Sequence, residues 1–215
     1  MLCFSVSSFG DVNFSGHIKT VAVTQERTFE APRYYQSQNN LRLIWNAKKT
    51  ILAWEIHYEF NPTFISREAP NQYSTLIDSE DRYRISDIAQ RLDKSESRHM
   101  LTQNLDRFNI QMRLPHGDLT LGRQAITFGS SRVIVPTDIF VPFDVRVFDQ
   151  EYRMGVDAIR YQSPIGEVGE FDIGIVFGES RQTSAAFMQI SDTYSRKDLH
   201  ITVLRFAEIP SLNLK

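Results

Sequence analysis

Residues 52–60 read Leu52-Ala-Trp-Glu-Ile-His-Tyr-Glu-Phe60, and their side chains alternate between two chemical characters. The even-numbered positions are apolar or aromatic, whereas the odd-numbered positions include Glu55, His57 and Glu59. Because successive side chains of a β-strand point to opposite faces, this period of two predicts a strand with one oily face and one ionic face. The nine residues of the stretch approach the ~9–11 that a tilted strand needs to cross a membrane.

The same period of two recurs along most of the chain, and helical spacing is almost absent. We therefore predict about nine strands. Besides residues 52–60, the alternating segments are residues 12–22, 41–45, 108–114, 119–121, 155–161, 171–177, 185–193 and 199–206. Near Gly122 the alternation loses its phase, which predicts a β-bulge at Gly122–Arg123.

The lengths of the predicted connections alternate as well. The turns after the second, fourth, sixth and eighth segments are short, whereas the connections after the first, third and fifth are long. Outer-membrane barrels have this asymmetry, with short periplasmic turns and longer extracellular loops, so the parity predicts a periplasmic N-terminus. The longest connection carries Ile85, Ile88 and Leu92 at helical spacing, which predicts a short amphipathic helix.

Composition narrows the function classes. The 215 residues are compatible with one domain, and the net charge of -2 does not favour nucleic acid as a partner. The single cysteine, Cys3, excludes an intrachain disulfide and a cysteine-based zinc site. The five histidines are scattered, and no Gly-x-Ser-x-Gly elbow occurs. We therefore expect no metal, no cofactor and no enzymatic activity.

The fold class that these patterns predict is all-β, an antiparallel transmembrane β-barrel. The chain ends at Pro210-Ser-Leu-Asn-Leu-Lys215 without a closing aromatic strand, so we expect an incomplete part of a larger up-and-down barrel. We assign residues 10–215 to the N-terminal portion of this single domain. Residues 1–9 resemble the end of a signal peptide that lacks its basic region, and the alternative is a short apolar first strand.

Four groups of motifs carry a resemblance to a known family. They are Leu105-Asp-Arg107; Gly122-Arg-Gln124 followed by Phe128-Gly129; Pro136-Thr-Asp138 with Phe140-Val-Pro-Phe143; and Glu151-Tyr-Arg153 with Gly155-Val-Asp-Ala158. In these motifs the chain resembles the bacterial porin-like outer-membrane proteins related to the alginate-export type. The resemblance covers residues 83–177, and it implies an outer-membrane location and a complete barrel of roughly 14 to 18 strands.

The chain departs from the family pattern at two positions. Many relatives carry tryptophan where this chain has Phe128, and asparagine where it has Val135. The first difference keeps an aromatic ring. The second removes an amide that could cap the following turn, so the geometry of that loop is expected to differ.

Charged and amide side chains of the alternating segments are the candidate lining of a pore, because a charge that faces lipid at the midplane costs about 2–4 kcal/mol. They could form an arginine ladder that favours anions, or structural ion pairs with acids on adjacent strands. The candidates are Glu55, Glu59, Arg107, Gln111, Arg113 and Arg123.

Residues 129–153 mix both signs of charge with several apolar residues. One hypothesis is that this loop folds back into the pore as a constriction, and the other is that it packs externally on its own apolar residues. The constriction candidates are Arg132, Asp138, Asp144 and Arg146.

The function that the sequence predicts is a pore for passive or facilitated diffusion of small polar solutes, including anionic or carbohydrate-like compounds. Its partners would be these solutes and the lipid bilayer of the bacterial outer membrane, and a homo-oligomer remains open. The alternative is a soluble β-sandwich that acts as a carbohydrate-binding module. Strand length favours the pore, because sandwich strands average about six residues.

Overall fold

A computed structural model of the chain describes residues 2–9, 12–25, 34–65, 83–85, 90–91, 99–128, 154–194 and 197–207. Eleven β-strands occur in these ranges. They are β1 (Leu2–Phe9), β2 (Val12–Gln25), β3 (Tyr34–Lys48), β4 (Leu52–Ile65), β5 (Gln90–Arg91), β6 (His99–Leu114), β7 (Gly117–Gln124), β8 (Val156–Ile165), β9 (Gly169–Phe177), β10 (Ala185–Tyr194) and β11 (Lys197–Phe206).

The strands form one sheet in which hydrogen-bonded neighbours follow the order of the chain. Ten strands lie in the order β1-β2-β3-β4-β6-β7-β8-β9-β10-β11, and β5 pairs with β6. Each pairing whose register is defined is antiparallel. The all-β, antiparallel, up-and-down prediction is therefore confirmed. No pairing among the described residues joins β1 to β11, so this sheet is open rather than closed into a barrel.

Every segment with predicted alternation lies in a strand, but several strands are longer than expected. β3 has 15 residues and β6 has 16, whereas the apolar alternation covered only part of each. The first half of β3 is polar on both faces, so its hydrophobicity has no period. Its amides pair across the sheet instead: Asn40 Nδ2 donates to Asn61 Oδ1 at 2.7 Å.

Two strands were not among the nine predicted segments. Residues 2–9, for which a signal-peptide remnant and a short first strand were both open, form β1, and Leu2 pairs in register with Ile18. The two-residue strand β5 falls where an amphipathic helix was expected. Ile88 and Leu92 lie outside the described residues, and no helix in the described ranges is long and apolar enough to cross a membrane.

Short and long connections alternate along the sheet, as predicted. Short connections follow β1, β3, β6, β8 and β10, and longer ones follow β2, β4, β7 and β9. One turn of 3₁₀ helix, Arg181–Thr183, lies in the connection from β9 to β10. All the short turns therefore share one end of the sheet, and the longer connections share the other.

The chain divides into two compact units. Unit 1 comprises Met1–Ala47, Glu55–Glu80 and Asp87–Asp106, and it holds β1, β2, most of β3 and parts of β4 and β6. Unit 2 comprises Lys48–Trp54, Asp81–Ser86 and Arg107–Lys215, and it holds the remainder of β6 and the hairpins from β7 to β11.

In unit 1 the register separates the side chains of β2 and β3 by character. Phe14 is opposite Trp45 on one face, and both are exposed. His17 is opposite Arg42 on the other face, and both are buried. We call these the apolar face and the buried face.

Unit 2 has the same two faces. Ile159 is opposite Ile175 on its apolar face, and Gln162 is opposite Asp172 on its buried face. The pattern extends to the last hairpin, where Met188 pairs with Val203 on the apolar face and both are exposed.

Burial is inverted relative to an ordinary water-soluble sheet. Among the described side chains, thirteen polar or charged residues are buried but only eight apolar ones. Twenty large hydrophobic residues are exposed. Soluble domains bury charged groups rarely and only with partners, so this distribution has to be explained by the environment of the apolar face.

The predicted bulge at Gly122–Arg123 is wrong, because the pairing of β7 with β6 and β8 continues through both residues without a shift. The loss of phase has another cause. Gly122 has a φ of 111°, and a Cβ there would lie 2.3 Å from the carbonyl oxygen of Phe108. Glycine is required at this point because β6 passes too close for any side chain.

Replacing Gly122 with alanine should destabilise the fold more than the same change at Gly166. Gly166 has a φ of 60°, and no atom lies within 4 Å of a Cβ built there, so we expect a loss of roughly 1 kcal/mol. At Gly122 the backbone strain and the clash with Phe108 add, and we expect roughly 3 kcal/mol or more. Urea unfolding followed by tryptophan fluorescence measures both, and equal losses would contradict this account.

Candidate functional site

The buried face of unit 1 carries a compact group of charged and polar side chains around Arg42. Arg42 Nε donates to Glu59 Oε1 at 2.8 Å, and its Nη2 pairs with the same carboxylate. Arg42 Nη1 lies 3.1 Å from Asp106 Oδ2. Asn104 Nδ2 donates to the other oxygen of Glu59 at 3.4 Å. We call Arg42, His57, Glu59, Asn104 and Asp106 the Arg42 cluster.

The strands bring this cluster together from distant parts of the sequence. Arg42 lies on β3, His57 and Glu59 on β4, and Asp106 on β6. Arg42 is 3% exposed and Asp106 is 0% exposed. At such burial each charge depends on its counter-ion, because desolvation costs several kcal/mol per ion.

Two further side chains, Glu55 and His17, lie beside the Arg42 cluster. His57 Nδ1 lies 3.5 Å from Arg42 Nη1, and His57 Nε2 lies 2.7 Å from Glu55 Oε1. His17 is opposite Arg42 in the β2–β3 register and is buried. Among the described residues, the Arg42 cluster with Glu55 and His17 therefore comprises two imidazole rings, one guanidinium group and three carboxylates.

The buried face of unit 2 has a polar half near the short turns. Arg160 Nε donates to Asp172 Oδ1 at 3.0 Å and Arg160 Nη2 to Asp172 Oδ2 at 2.6 Å, which is the bidentate geometry of a strong pair. Gln162 Nε2 donates to Glu170 Oε1 at 2.5 Å, one register step nearer the turn. Across the β8–β9 hairpin, Arg160 and Asp172 therefore neutralise each other, and the Gln162 amide satisfies one oxygen of Glu170.

The other half of this face is apolar and is covered by the chain that leaves β7. Residues 126–128, the 126–128 segment, place Ile126 and Phe128 against strands β8 to β10. The Phe128 ring meets the Phe187 ring edge to face, with centroids 5.1 Å apart, and Gln189 Nε2 donates to the Phe128 carbonyl oxygen at 3.2 Å. We call this group the inner apolar cluster: Ile126, Phe128, Val156, Ala158, Val176, Ala185 and Phe187.

Gly174 makes room for the aromatic contact. A Cβ at this position would lie 2.5 Å from Phe187 Cε1. The Phe187 ring therefore lies over the β9 backbone and offers an edge to Phe128.

A third group of charged residues joins the end of β7 to the start of β8. Arg123 Nε and Nη2 donate to the two oxygens of Asp157 at 2.8 and 3.1 Å. The 83–85 segment, residues 83–85, lies against the same place: Ile85 N donates to Asp157 Oδ2 at 2.8 Å, and Arg84 Nε donates to the Gly155 carbonyl oxygen at 3.0 Å.

Two of the predicted pore-lining residues lie in or beside the Arg42 cluster, and two others lie near Asp118. Glu59 lies in the Arg42 cluster, and Glu55 lies beside it through His57. Gln111 Nε2 donates to Asp118 Oδ2 at 3.0 Å, and the exposed Arg113 lies 3.7 Å from the same carboxylate group.

The remaining predicted residues are Arg107 and Arg123. Arg107 is half-buried, in the part of β6 that belongs to unit 2. Register places Arg123 in step with Leu121 and Ile110, which differs from the expectation that it shares a face with Gln111. The constriction candidates lie outside the described residues, namely Arg132, Asp138, Asp144 and Arg146.

Sequence reasoning missed the residues that organise both polar groups. Arg42 and Asp172 each alternate with apolar neighbours, so the period of two could have assigned them to the polar face. Their partners could not be assigned in that way, because pairing depends on strand register.

The described ranges contain no group of three or more histidine, cysteine, aspartate or glutamate side chains arranged to hold a metal ion. No protein-family model matches the sequence, and no curated protein or solved structure is significantly similar to it. The chemistry of the two buried faces is therefore the basis for a functional proposal.

Replacing Arg42 with methionine should cost about 3–5 kcal/mol of unfolding free energy, because Glu59 and Asp106 would remain buried without their cation. The matched control is Arg113→Met. The Arg113 side chain is 60% exposed, and its loss should cost less than about 0.5 kcal/mol.

The triple variant Arg42→Met, Glu59→Gln, Asp106→Asn removes all three charges together and should be more stable than Arg42→Met alone. Urea unfolding curves provide the comparison. A triple variant that is no more stable than the single one would mean that unpaired buried charge is not the cause of the loss.

Proposed function

We propose that this chain forms part of the wall of a β-barrel pore in the bacterial outer membrane, through which small polar solutes diffuse. The observation that carries the proposal is the inverted burial within single strands: charged side chains such as Arg42 and Asp172 are buried on the buried face, whereas large apolar side chains are exposed on the apolar face. In lipid this arrangement is favourable, because hydrocarbon surrounds the apolar face and water fills the interior.

The exposure of aliphatic residues along the strands supports a lipid environment. Ile159, Ile175 and Ile201 are 43%, 48% and 55% exposed. A soluble sandwich whose core is the buried face would leave these side chains in contact with water. Contiguous apolar surface of this kind on a water-soluble monomer marks an interaction site or a membrane-facing surface.

The open sheet bears on the size of the proposed pore. Unpaired backbone groups at the edges of β1 and β11 are not stable inside a bilayer, so both edges would pair with further strands in the membrane. This need agrees with the larger barrel that the resemblance to the alginate-export type of porin-like proteins implies.

Charge pairing supports a preference for polar solutes of low charge. The guanidinium groups of Arg42 and Arg160 are each held by carboxylates, so these two are not available to anions. Transport through such a wall is diffusive, and it requires neither a cofactor nor a catalytic group.

The 126–128 segment supports a narrowed interior in unit 2. It covers the half of the buried face nearest the long connections, through Phe128 on Phe187 and Gln189 on the Phe128 carbonyl oxygen. We propose that this segment reduces the cross-section of the pore.

A soluble β-sandwich that binds carbohydrate is the second candidate. The observation in its favour is the inner apolar cluster, which is a dry patch of the kind that sandwich cores contain. The two candidates predict opposite sensitivities to arginine on the apolar face.

Ile173→Arg should abolish or strongly reduce insertion into lipid vesicles, because Ile173 is the central residue of β9 and arginine at the bilayer midplane costs about 2–4 kcal/mol. In a soluble sandwich the same half-exposed position would accept arginine with little change. Heat-modifiable migration on gels after refolding with vesicles measures insertion.

Glu167→Arg is the matched control, because Glu167 is exposed in the turn between β8 and β9 and should tolerate the change. Wild-type protein that stays in the aqueous phase without detergent, together with an Ile173→Arg variant of unchanged behaviour, would reject the pore and favour the sandwich.

Phe128→Ala should raise the single-channel conductance in planar bilayers, because the 126–128 segment loses its contact with Phe187. Phe171→Ala, on the apolar face, removes a ring of the same size and should leave the conductance unchanged. Equal conductance of the wild type and Phe128→Ala would show that the 126–128 segment does not narrow the pore.

A further inference from the structure

We infer that Asp157 is a positioning residue. It joins the start of β8 to the end of β7 and thereby holds the 126–128 segment on the buried face. The effect of this positioning on solute passage rests on the proposed pore. The positioning itself is a property of unit 2 and can be tested without transport.

Asp157 receives contacts from three parts of the chain. Its carboxylate accepts two hydrogen bonds from Arg123 at the end of β7 and one from the backbone N–H of Ile85. Its own backbone N–H donates to the Tyr83 carbonyl oxygen at 3.0 Å. Asp157, at the start of β8, therefore joins three parts of the chain: β7, β8 and the 83–85 segment.

Register explains why loss of the Asp157 carboxylate should destabilise this part of the fold. Arg123 and Asp157 are opposite each other and in step with Leu121 and Ile159, on the apolar face. Their side chains are nevertheless only 5% and 14% exposed. A buried charge pair among apolar neighbours is stable only while both members are present, so removal of one displaces the other toward water.

The link from this pair to the 126–128 segment is short and continuous. Gln124, next to Arg123, donates from Nε2 to the Ala158 carbonyl oxygen at 3.2 Å and to the Thr120 carbonyl oxygen at 3.3 Å. Ala158 is itself a member of the inner apolar cluster. Movement of Arg123 away from Asp157 therefore shifts the last residues of β7 from which the 126–128 segment begins.

The 83–85 segment adds a second tie on the returning strand. Arg84 is buried and donates to the Gly155 carbonyl oxygen, two residues before Asp157, and Tyr83 packs against the inner apolar cluster. The 83–85 segment thus contacts the start of β8 at Gly155 and Asp157.

The experiment measures the accessibility of the 126–128 segment directly. Thr127 is half-buried between Ile126 and Phe128, so Thr127→Cys in a Cys3→Ser background places one thiol in the segment. The reaction rate of this thiol with a water-soluble methanethiosulfonate reagent is recorded for the folded protein in detergent micelles. It is compared with and without Asp157→Asn.

Asp157→Asn should increase the labelling rate, and Asp157→Glu should restore most of the protection, because glutamate keeps the charge that Arg123 requires. Asp192→Asn is the control, since Asp192 is exposed near the end of β10 and should leave the rate unchanged. A labelling rate that Asp157→Asn does not change would overturn the inference.

A variant that fails to fold is handled by neutralising both partners. Arg123→Gln with Asp157→Asn removes the buried charges together and keeps the fold more readily than the single change, while losing the ionic tie. Faster labelling in this double variant supports the positioning role, and an unchanged rate rejects it.

Conductance of the same proteins separates this inference from the proposed function. Faster labelling together with higher conductance supports both. Faster labelling in a protein whose wild type forms no channel supports the positioning role and rejects the pore. Channels in the wild type, with labelling and conductance that Asp157→Asn leaves unchanged, support the pore and reject the positioning role.

Discussion

Pairing of buried guanidinium and carboxylate groups is the constraint on which the rest of the structure depends. Three such pairs are centred on Arg42, Arg123 and Arg160, and each joins two or more strands. A charge removed from bulk water is tolerated only beside its counter-ion, so each pair admits few alternative strand registers. Apolar pairs lack such specificity, because one isoleucine opposite another fits as well after a slip of two residues. Register is therefore set by the charge pairs. Those of Arg42 and Arg160 lie on the buried face, and that of Arg123 is in step with the apolar face.

The buried face of unit 2 also changes from polar to apolar along the strands. Near the short turns it is polar, with Arg160 and Asp172, and near the long connections it is apolar, with Phe187 and Val176. The 126–128 segment covers only the apolar half, because Phe128 finds an aromatic partner there and Gln189 satisfies its carbonyl oxygen. One strand can therefore contribute to apolar packing at one end and to charge pairing at the other.

Periodicity carried the prediction of this fold, and it was sufficient wherever one face is apolar. Ile173 and Ile175 alternate with Asp172 and Gly174, so the strand and its two faces follow from the sequence. Periodicity gave no prediction for the first half of β3, because polar residues occupy both of its faces. It also could not find the partner of Glu59, since Arg42 is distant in sequence and meets it only through sheet register. At Gly122 it detected a disturbance but assigned the wrong cause, because the approach of the Phe108 carbonyl oxygen is a tertiary contact.

The agreement between strand order and chain order has a kinetic consequence. Each strand from β6 onward pairs with the one that follows it, so the sheet can grow by adding one hairpin at a time, without waiting for a distant segment to arrive. Loops closed in this way are short where the turns are short, and their entropic cost is small. The slow steps of assembly should then be the additions across the long connections, from β4 to β6 and from β7 to β8. There a longer loop must close before the next strand can pair.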